Sequence, residues 1–309
     1  MKFQANIIPK NFVKIIEQIK PKYPEIEFIY GEKNIEQADI MLGMINFEKL
    51  LTLPNIKYVQ LQSAGFDFLA NKKHLNHIRF ASASGAYNSS TSEHMLTMNL
   101  VLFRNFQIHR DFQNQNIWQK WGMVERVRLI KGSTILIIGL GEIGGAYAKL
   151  VKAMGAYVIG VRHSNAHKPE YVDELYLANK LDELLPRADV VAVAAPLNDN
   201  TKQLIDKAAI EKMKDGAILI NVGRGAIVNT DALCDALESG KLSGAALDVT
   251  DPEPLPKEHR LWKIKSAIIT PHCAGGTGNT GINEGVAKIF EQNLQRFIEN
   301  KKLINEIYF

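Results

Sequence analysis

Residues 133–161 place a cluster of glycines between two apolar runs, in the sequence STILIIGLGEIGGAYAKLVKAMGAYVIGV. The first run predicts a buried strand, the segment GAYAKLVKAM is typical of a helix, and AYVIGV predicts a second strand. A strand, a tight turn, a helix and a second strand form a βαβ unit, in which the two strands are parallel. This stretch therefore predicts an α/β fold with a mostly parallel sheet.

The same alternation of short apolar runs and helix-like segments continues on both sides of this stretch. At the N-terminus, FQANII is followed by NFVKIIEQIKPKY, whose apolar residues recur at helical spacing. Nearly continuous apolar runs, typical of strands covered by helices on both faces, occur at residues 189–196, 217–222, 244–249 and 266–272. A long helix is predicted near 91–110, and a final helix near 283–300. The sequence thus predicts two α/β domains.

Composition excludes several classes of protein. The chain has 309 residues and a net charge of +4 without a clustered basic face, which argues against a nucleic-acid binder. No apolar run is long enough to span a membrane, and the N-terminus lacks the apolar core of a signal peptide. Two cysteines, Cys234 and Cys273, do not form a disulfide framework. We therefore expect a reduced cytoplasmic protein, and the histidine spacing predicts no metal site.

The glycine cluster has the pattern G-x-G-x-x-G, in the context of strand and helix that dinucleotide binding requires. We expect Gly139 to form the tight turn, Gly141 to let the backbone approach a pyrophosphate, and Gly144 to let helix and strand pack closely. The helix N-terminus would offer N–H groups to the anion. The alternative is a glycine turn that serves packing alone. The predicted cofactor-binding residues of this turn are Gly139, Leu140, Gly141, Glu142, Ile143 and Gly144.

The end of the second strand of this unit indicates which cofactor is preferred. NAD sites usually have an acidic residue there, which binds the ribose 2′-hydroxyl. Here the strand ends in Arg162, His163 and Ser164, and no acidic residue occurs between Glu142 and Glu170. A basic cluster with a hydroxyl suits the 2′-phosphate of NADP. We predict NADP(H) as the preferred cofactor, with NAD(H) as the second choice; a solvated basic cluster is the alternative interpretation.

In GAILINVGRGAI, residues 216–227, an arginine lies between two glycines at the end of a predicted strand. Ligands of open α/β sheets bind beyond the carboxyl ends of the strands, so Arg224 is a candidate for binding a carboxylate. We expect Gly223 and Gly225 to remove side chains that would crowd a ligand or the guanidinium. The alternative is a structural arginine paired with a buried acid.

Two further candidates follow the next two predicted strands, Glu253 in ALDVTDPEPLP and His272 in AIITPHCAGGT. Alone, each is more often a solvated or capping residue. Together with Arg224, they would meet at one edge of the sheet. A carboxylate beside an imidazole stabilises its protonated form, which can deliver a proton to a carbonyl oxygen. Hydride must come from a nicotinamide. The combination predicts reduction of a 2-oxo acid.

These residues belong to motifs that resemble the D-isomer-specific 2-hydroxyacid dehydrogenase family over most of the chain. The matching stretches are SAGFD (63–67), TSEHML (91–96), GLGEIG (139–144), AAPLNDNTKQLI (194–205), INVGRGAIV (220–228), ALDVTDPEPLP (246–256) and PHCAGGT (271–277). The resemblance implies a Rossmann-like cofactor domain over 99–274. It also implies a flavodoxin-like substrate domain, split between 1–98 and 275–309, with a cleft between the domains.

The resemblance also implies roles for individual residues. Arg224 would bind the substrate carboxylate, His272 would be the acid–base residue and Glu253 its partner. Asp248 would contact the nicotinamide carboxamide. The substrate would also meet the main chain of Ser63, Ala64 and Gly65. The cofactor would be bound in addition by Ala195, Pro196, Thr201 and Val222. Members of the family are commonly homodimers, paired through the cofactor domain and the helix near 91–110.

The reaction implied is reduction of glyoxylate, hydroxypyruvate or a longer 2-oxo acid by NAD(P)H, which yields the D-2-hydroxy acid where a stereocentre forms. A formate or phosphite dehydrogenase of the same family is the alternative enzyme, although formate enzymes usually have Gln where this chain has Glu253. A cofactor-sensing corepressor is the alternative without catalysis, but neither an extension nor a peptide groove is indicated. Cys273 is predicted to line the site rather than to act as a nucleophile.

Overall fold

Two β-sheets organise the chain, one in each of two structural units. The computed structural model describes residues 3–69, 72–122, 127–164, 167–276 and 279–308. One unit combines Met1–Tyr87 with Gly276–Phe309, and the other is Asn88–Gly275. Thr277, the last residue of the motif PHCAGGT, lies outside the described residues.

The strands, in chain order, are β1 (Phe3–Ile7), β2 (Ile26–Tyr30), β3 (Ile40–Leu42), β4 (Tyr58–Gln60), β5 (Arg79–Ala81), β6 (Thr134–Ile138), β7 (Tyr157–Arg162), β8 (Glu174–Leu177), β9 (Val190–Val193), β10 (Ala217–Asn221), β11 (Leu242–Leu247), β12 (Ala267–Ile269) and β13 (Glu306–Ile307). The α-helices are α1 (Val13–Ile19), α2 (Phe47–Leu51), α3 (Asn88–Phe103), α4 (Phe106–Asn114), α5 (Glu142–Ala153), α6 (Leu181–Leu184), α7 (Lys207–Lys212), α8 (Thr230–Glu238) and α9 (Thr280–Ile298).

The sheet of the first unit has the order β13-β5-β4-β3-β1-β2, and its strands are parallel except for β13. The order 2-1-3-4-5 of the parallel strands is that of flavodoxin-like folds. Helix α9 packs into the same core and also contributes a buried amide, Asn293. This amide donates to Gln60 Oε1 and to the carbonyl of Ile304, both at 3.0 Å. The last helix is thus fixed to the sheet of the first unit.

The sheet of the second unit is parallel and has the order β12-β11-β10-β9-β6-β7-β8. Successive residues of β6 enter two different cores, because side chains alternate between the faces of a strand. Leu136 and Ile138 pack with α6, α7 and α8, whereas Ile135 and Ile137 pack with α3 and α5. Strand order reverses between β6 and β9, which is the point where Rossmann-like sheets bind ligands. The second unit therefore has the predicted Rossmann-like architecture.

The structure differs from the sequence prediction in two respects, the helix near 91–110 and the boundary of the first unit. The helix predicted near 91–110 is two helices, α3 and α4, because Asn105 between them adopts a left-handed conformation with φ 55°. The first unit ends at Tyr87 rather than at residue 98, since α3 packs along α5 and belongs to the second unit. In the described ranges, no helix has the length and apolarity needed to cross a membrane.

Candidate active site

The glycine turn lies at the carboxyl end of β6, where the strand order reverses. A Cβ on Gly139, which has φ +93°, would lie 2.6 Å from the backbone nitrogen of Ala195. A Cβ on Gly144 would lie 2.3 Å from the carbonyl oxygen of Gly139. Both glycines are therefore required by close backbone packing, which the sequence analysis expected for Gly144, and the positive φ of Gly139 is typical of a tight turn.

Gly141 differs from the other two glycines, because a Cβ there would meet no atom within 4 Å. It is the N-cap of α5 and has no side chain to accept hydrogen bonds from the first turn. The N–H groups of a helix N-terminus and its positive dipole end attract anions. The residues present thus fit the pyrophosphate of a dinucleotide: two glycines form the turn, and the third leaves open space at the helix end.

The basic cluster lies next to this turn. The carbonyl of Val161 accepts hydrogen bonds from the N–H groups of Gly139 and Leu140, each at 3.0 Å. Arg162, the last residue of β7, is half-buried, whereas His163 and Ser164 are exposed. In a dinucleotide-binding unit, this strand end is where the adenosine ribose lies. The cluster is therefore placed where a 2′-phosphate would be recognised.

The segment after β9 forms a second wall near the glycine turn. Ala195 contacts Gly139 directly, as described above. Thr201 Oγ1 donates to the carbonyl of Pro196 at 2.7 Å and accepts from the N–H of Asn198 at 2.8 Å. These two bonds close the turn over 196–201. The predicted cofactor residues Ala195 and Pro196 thus lie beside the glycine turn that follows β6. Thr201 fixes the conformation of the segment 196–201.

Arg224 follows β10, and the side chain of Asn221 fixes its backbone. The buried Asn221 accepts from the N–H of Gly223 and donates to the carbonyl of Arg224, both at 3.0 Å. Arg224 itself is half-buried, and its guanidinium donates to the carbonyl of Gly223 at 2.7 Å. Val222 is buried and donates to the carbonyl of Val193.

The glycines beside Arg224 are required by main-chain packing, a reason that the sequence analysis did not give. A Cβ on Gly223 would lie 2.6 Å from the carbonyl oxygen of Ala195. A Cβ on Gly225 would lie 2.0 Å from the backbone of Thr250. Both positions need glycine because neighbouring main-chain segments approach them closely.

His272 and Glu253 form a pair beyond β12 and β11. Nδ1 of His272 lies 2.6 Å from Glu253 Oε1, and the two side chains are 47% and 43% exposed. A carboxylate at Nδ1 fixes the orientation of the ring and directs Nε2 away from the pair. The backbone of His272 has φ 50°, which is rare for a residue with a Cβ. Such outliers cluster at functional sites.

Asp248, which follows β11, has contacts that the sequence analysis did not predict. It is 2% exposed, and it accepts from the hydroxyl of Thr270 at 2.6 Å. It also accepts from the N–H groups of Cys273 and Ala274, at 2.9 and 3.0 Å. Its carboxylate therefore holds the loop that carries His272. The sequence marks Asp248 as an acidic residue directly after the apolar run 244–247, but no local pattern indicates its partners.

The thiol of Cys273 is next to this carboxylate. Desolvation and the negative charge of Asp248 raise the pKa of Cys273. A thiol with a raised pKa is a poor nucleophile near neutral pH. This agrees with the interpretation of Cys273 as a residue that only lines the site.

The substrate loop predicted in the first unit follows β4. Ser63 Oγ donates to the carbonyl of Gly65 at 2.8 Å, and the carbonyl of Ser63 accepts from the N–H of Ala83. Ala64 packs against the core of this unit. The loop is thus at the carboxyl end of the first sheet, in the position where open α/β sheets bind ligands.

Comparisons with known proteins give a consistent result. The model of the D-isomer specific 2-hydroxyacid dehydrogenase NAD binding domain matches residues 96–274. The glyoxylate reductase of Aeropyrum pernix is 31% identical over 269 residues, which cover 85% of this chain and 79% of that protein. A D-isomer specific 2-hydroxyacid dehydrogenase family protein from Aeromonas salmonicida has a TM-score of 0.88 at 30% identity, covering 100% of this chain and 99% of its own.

A third protein shares the fold. The NADPH-dependent glyoxylate/hydroxypyruvate reductase of Sinorhizobium meliloti, solved in complex with NADP and sulfate, has a TM-score of 0.83 at 24% identity. The similarity covers 99% of this chain and 98% of that chain.

Proposed function

The chain belongs to the D-isomer-specific 2-hydroxyacid dehydrogenase family, and we propose that it reduces a small 2-oxo acid to the D-2-hydroxy acid. The family is one of NAD(P)-dependent dehydrogenases, and the glycine turn after β6 fits such a cofactor. The observation that carries the proposal is the 2.6 Å contact between His272 and Glu253. It lies at the same edge of the sheet as Arg224 and the glycine turn.

In this reaction each of the three side chains has a defined role. The Arg224 guanidinium binds the planar carboxylate of the substrate through two parallel hydrogen bonds and polarises the adjacent carbonyl. His272 donates a proton from Nε2 to the carbonyl oxygen, while Glu253 keeps the ring oriented and stabilises its charge. The bound nicotinamide supplies the hydride. The main chain of Ser63, Ala64 and Gly65 would offer further N–H groups to the carboxylate.

The cofactor would lie along the carboxyl edge of the second sheet. The turn from Gly139 to Gly144 would hold the pyrophosphate, and the residues after β9 would line the adenosine side. Asp248 would contact the carboxamide through the oxygen lone pairs that remain after it has bound the 270–274 loop. These assignments are supported by position and by the fit of the glycines.

We propose that NADP(H) is preferred because Arg162, His163 and Ser164 follow β7 where an acidic residue would favour NAD(H). The test compares kcat/KM for NADPH and NADH in the wild type and in Arg162→Ala. We expect the variant to lose about 10- to 100-fold with NADPH, since a charge-assisted hydrogen bond is lost. The value with NADH should change less than about 3-fold. A wild-type preference for NADH would contradict the assignment.

The substrate is best identified with a panel of 2-oxo acids, assayed by the absorbance of NADPH. The relative from Aeropyrum pernix is a glyoxylate reductase, which makes glyoxylate and hydroxypyruvate the first compounds to test. Formate and phosphite oxidation are measured in parallel, because a dehydrogenase of that type is the alternative. Turnover of formate with no turnover of any 2-oxo acid would reject the reductase.

We also propose a homodimer. Large apolar side chains are exposed in and after α4, where Phe106, Trp118 and Trp121 are 62%, 96% and 71% exposed. Large exposed apolar surfaces usually mark interfaces, and we infer that these side chains are covered in a dimer. Light scattering after size exclusion should give twice the chain mass of 34.6 kDa. We expect Trp118→Glu to shift the protein toward the monomer, whereas a wild-type monomer at micromolar concentration would contradict the proposal.

A further inference from the structure

Two polar side chains of α3 reach the loop that carries His272. Ser90 Oγ donates to the carbonyl of Ala274 at 3.0 Å. Nε2 of His94 lies 3.0 Å from Thr270 Oγ1. Ser90 and His94 are one helical turn apart and therefore lie on the same face of α3. This face contacts both ends of the loop over 270–274, although neither side chain takes part in the reaction described above.

The direction of the hydrogen bonds follows from proton counting. A hydroxyl has one proton, and Thr270 donates it to Asp248 Oδ1 at 2.6 Å. This distance is typical of a hydroxyl bonded to a carboxylate. The oxygen of Thr270 must then accept from His94, so Nε2 of His94 carries a proton. His94 is 22% exposed, and its Nε2 is 3.7 Å from Asp248 Oδ1. The bonds therefore form a chain from His94 through Thr270 to Asp248.

This chain ends at the backbone of His272. The carboxylate of Asp248 accepts the N–H groups of Cys273 and Ala274. The carbonyl of Asp248 accepts the N–H of His272 at 2.7 Å. A left-handed backbone at a residue with a Cβ persists only where its surroundings hold it. Asp248 provides these bonds, and His94 fixes the hydroxyl that orients Asp248.

We propose that His94 is a positioning residue for His272. By donating to Thr270, it holds the carboxylate of Asp248 and hence the loop in the conformation that presents the imidazole of His272. The inference rests on the proposed reductase function for its kinetic consequence, but the contact itself can be tested without a substrate.

The experiment uses the full chain with NADPH bound and compares His94→Leu with His94→Gln. Gln offers a donor nitrogen near the position of Nε2, whereas Leu offers none. We expect His94→Leu to lower kcat about 10-fold, with KM for the 2-oxo acid and Kd for NADPH within about 3-fold of wild type. Hydrogen exchange at the amides of Cys273 and Ala274 should rise about 10-fold. His94→Gln should stay within about 3-fold of wild type in both measurements.

Two further variants test the chain of bonds. Thr270→Val removes the hydroxyl, and it should reproduce the effects of His94→Leu. The double variant should be no worse than either single variant, because both changes break the same chain. His77→Leu is the control, since His77 is an exposed histidine of the first unit, and it should match the wild type.

The proposal is wrong if His94→Leu leaves kcat or the exchange of Cys273 and Ala274 at the wild-type level. It is equally wrong if His94→Gln is as impaired as His94→Leu, because the side chain would then act only through its shape. If the wild type reduces no 2-oxo acid, the proposed function fails. The exchange measurement still decides whether His94 holds the loop.

Discussion

Charged side chains occur at both the amino and the carboxyl edge of the second sheet, but their bonding differs between the two edges. At the amino edge, Asp189 accepts from the N–H of Thr134 at 2.9 Å and from Lys214 at 2.7 Å. Asp173, at the same edge, accepts from Lys152 at 2.6 and 2.8 Å. Each of these carboxylates is bonded to a cation and to the main chain of a strand. They connect the beginnings of the strands to each other.

At the carboxyl edge, buried polar side chains hold the backbone segments that carry Arg224 and His272. Asn221 holds the turn of Arg224, and Asp248 holds the loop of His272, while His272 and Glu253 are nearly half exposed. Pairs at the amino edge stabilise the fold, whereas the pair of His272 and Glu253 at the carboxyl edge is accessible from solvent. Substitutions at the two edges should therefore affect different properties, activity at one and stability at the other.

The largest effect on activity is expected for His272→Ala. The variant lacks the proton donor, so we expect kcat to fall by at least about 10³-fold. The Kd for NADPH, measured by fluorescence, should stay within about 3-fold, because the predicted cofactor turn is elsewhere. Normal turnover in this variant would reject the acid–base assignment and remove the functional contrast between the two edges.

Arg224→Ala should have the next largest effect. Loss of the guanidinium removes both carboxylate binding and carbonyl polarisation, so we expect kcat/KM to fall about 10²- to 10⁴-fold. Arg224→Lys is the matched control, because it keeps the charge but not the two parallel donors, and it should recover only part of the loss. Full recovery with Lys would show that charge alone is sufficient.

Glu253→Gln should have a smaller effect. The amide oxygen can still accept a hydrogen bond from Nδ1 of His272, but the variant lacks the negative charge that stabilises the positive ring during proton transfer. We expect kcat to fall about 10-fold, with the Kd for NADPH within about 3-fold of the wild type. A variant with the kcat of the wild type would contradict the assigned pair.

The smallest effect on activity is expected at the amino edge, where stability should change instead. Lys214 and the N–H of Thr134 outweigh desolvation and lower the pKa of Asp189. Hydrogen bonds from Arg187 lower the pKa of Glu174 to about 2. Carboxylates with lowered pKa stabilise the fold above their unfolded pKa, and this contribution is lost as pH falls from about 5 toward 2.

Asp189→Asn tests this expectation by urea unfolding at several pH values. We expect a loss of about 1–2 kcal/mol at pH 7 and a weaker decline of stability below pH 5 than in the wild type. Asp215→Asn is the control, because Asp215 is 90% exposed in its ion pair with Lys241, and exposed pairs contribute little. Activity of both variants should equal that of the wild type, and a large loss in Asp189→Asn would contradict the separation of the two edges.

Much of the fold could be predicted from the sequence, because buried parallel strands need continuous apolar runs. The runs at 189–196 and 217–222 contain β9 and β10, and the family resemblance supplied the architecture. The glycine turn was also predictable, since Gly139 and Gly144 are constrained by backbone contacts that no other residue permits.

Other features depend on contacts distant in sequence and were not predicted. The break between α3 and α4 has no Gly or Pro, and only the tolerance of Asn105 for a left-handed conformation marks it. Strand β13 has two residues and forms only because it pairs with β5. The contacts of Asp248 with Thr270 and Ala274 join segments that no local pattern connects.

The close approach of Gly225 to Thr250 also limits how this enzyme can be altered. The main chain that bears the guanidinium touches the turn that leads to Glu253, so neither segment can be reshaped without displacing the other. Engineering of a new substrate range should therefore keep residues 223–225 unchanged. Diversity belongs instead in the loop after β4, where Phe66 and Phe68 are 43% and 44% exposed.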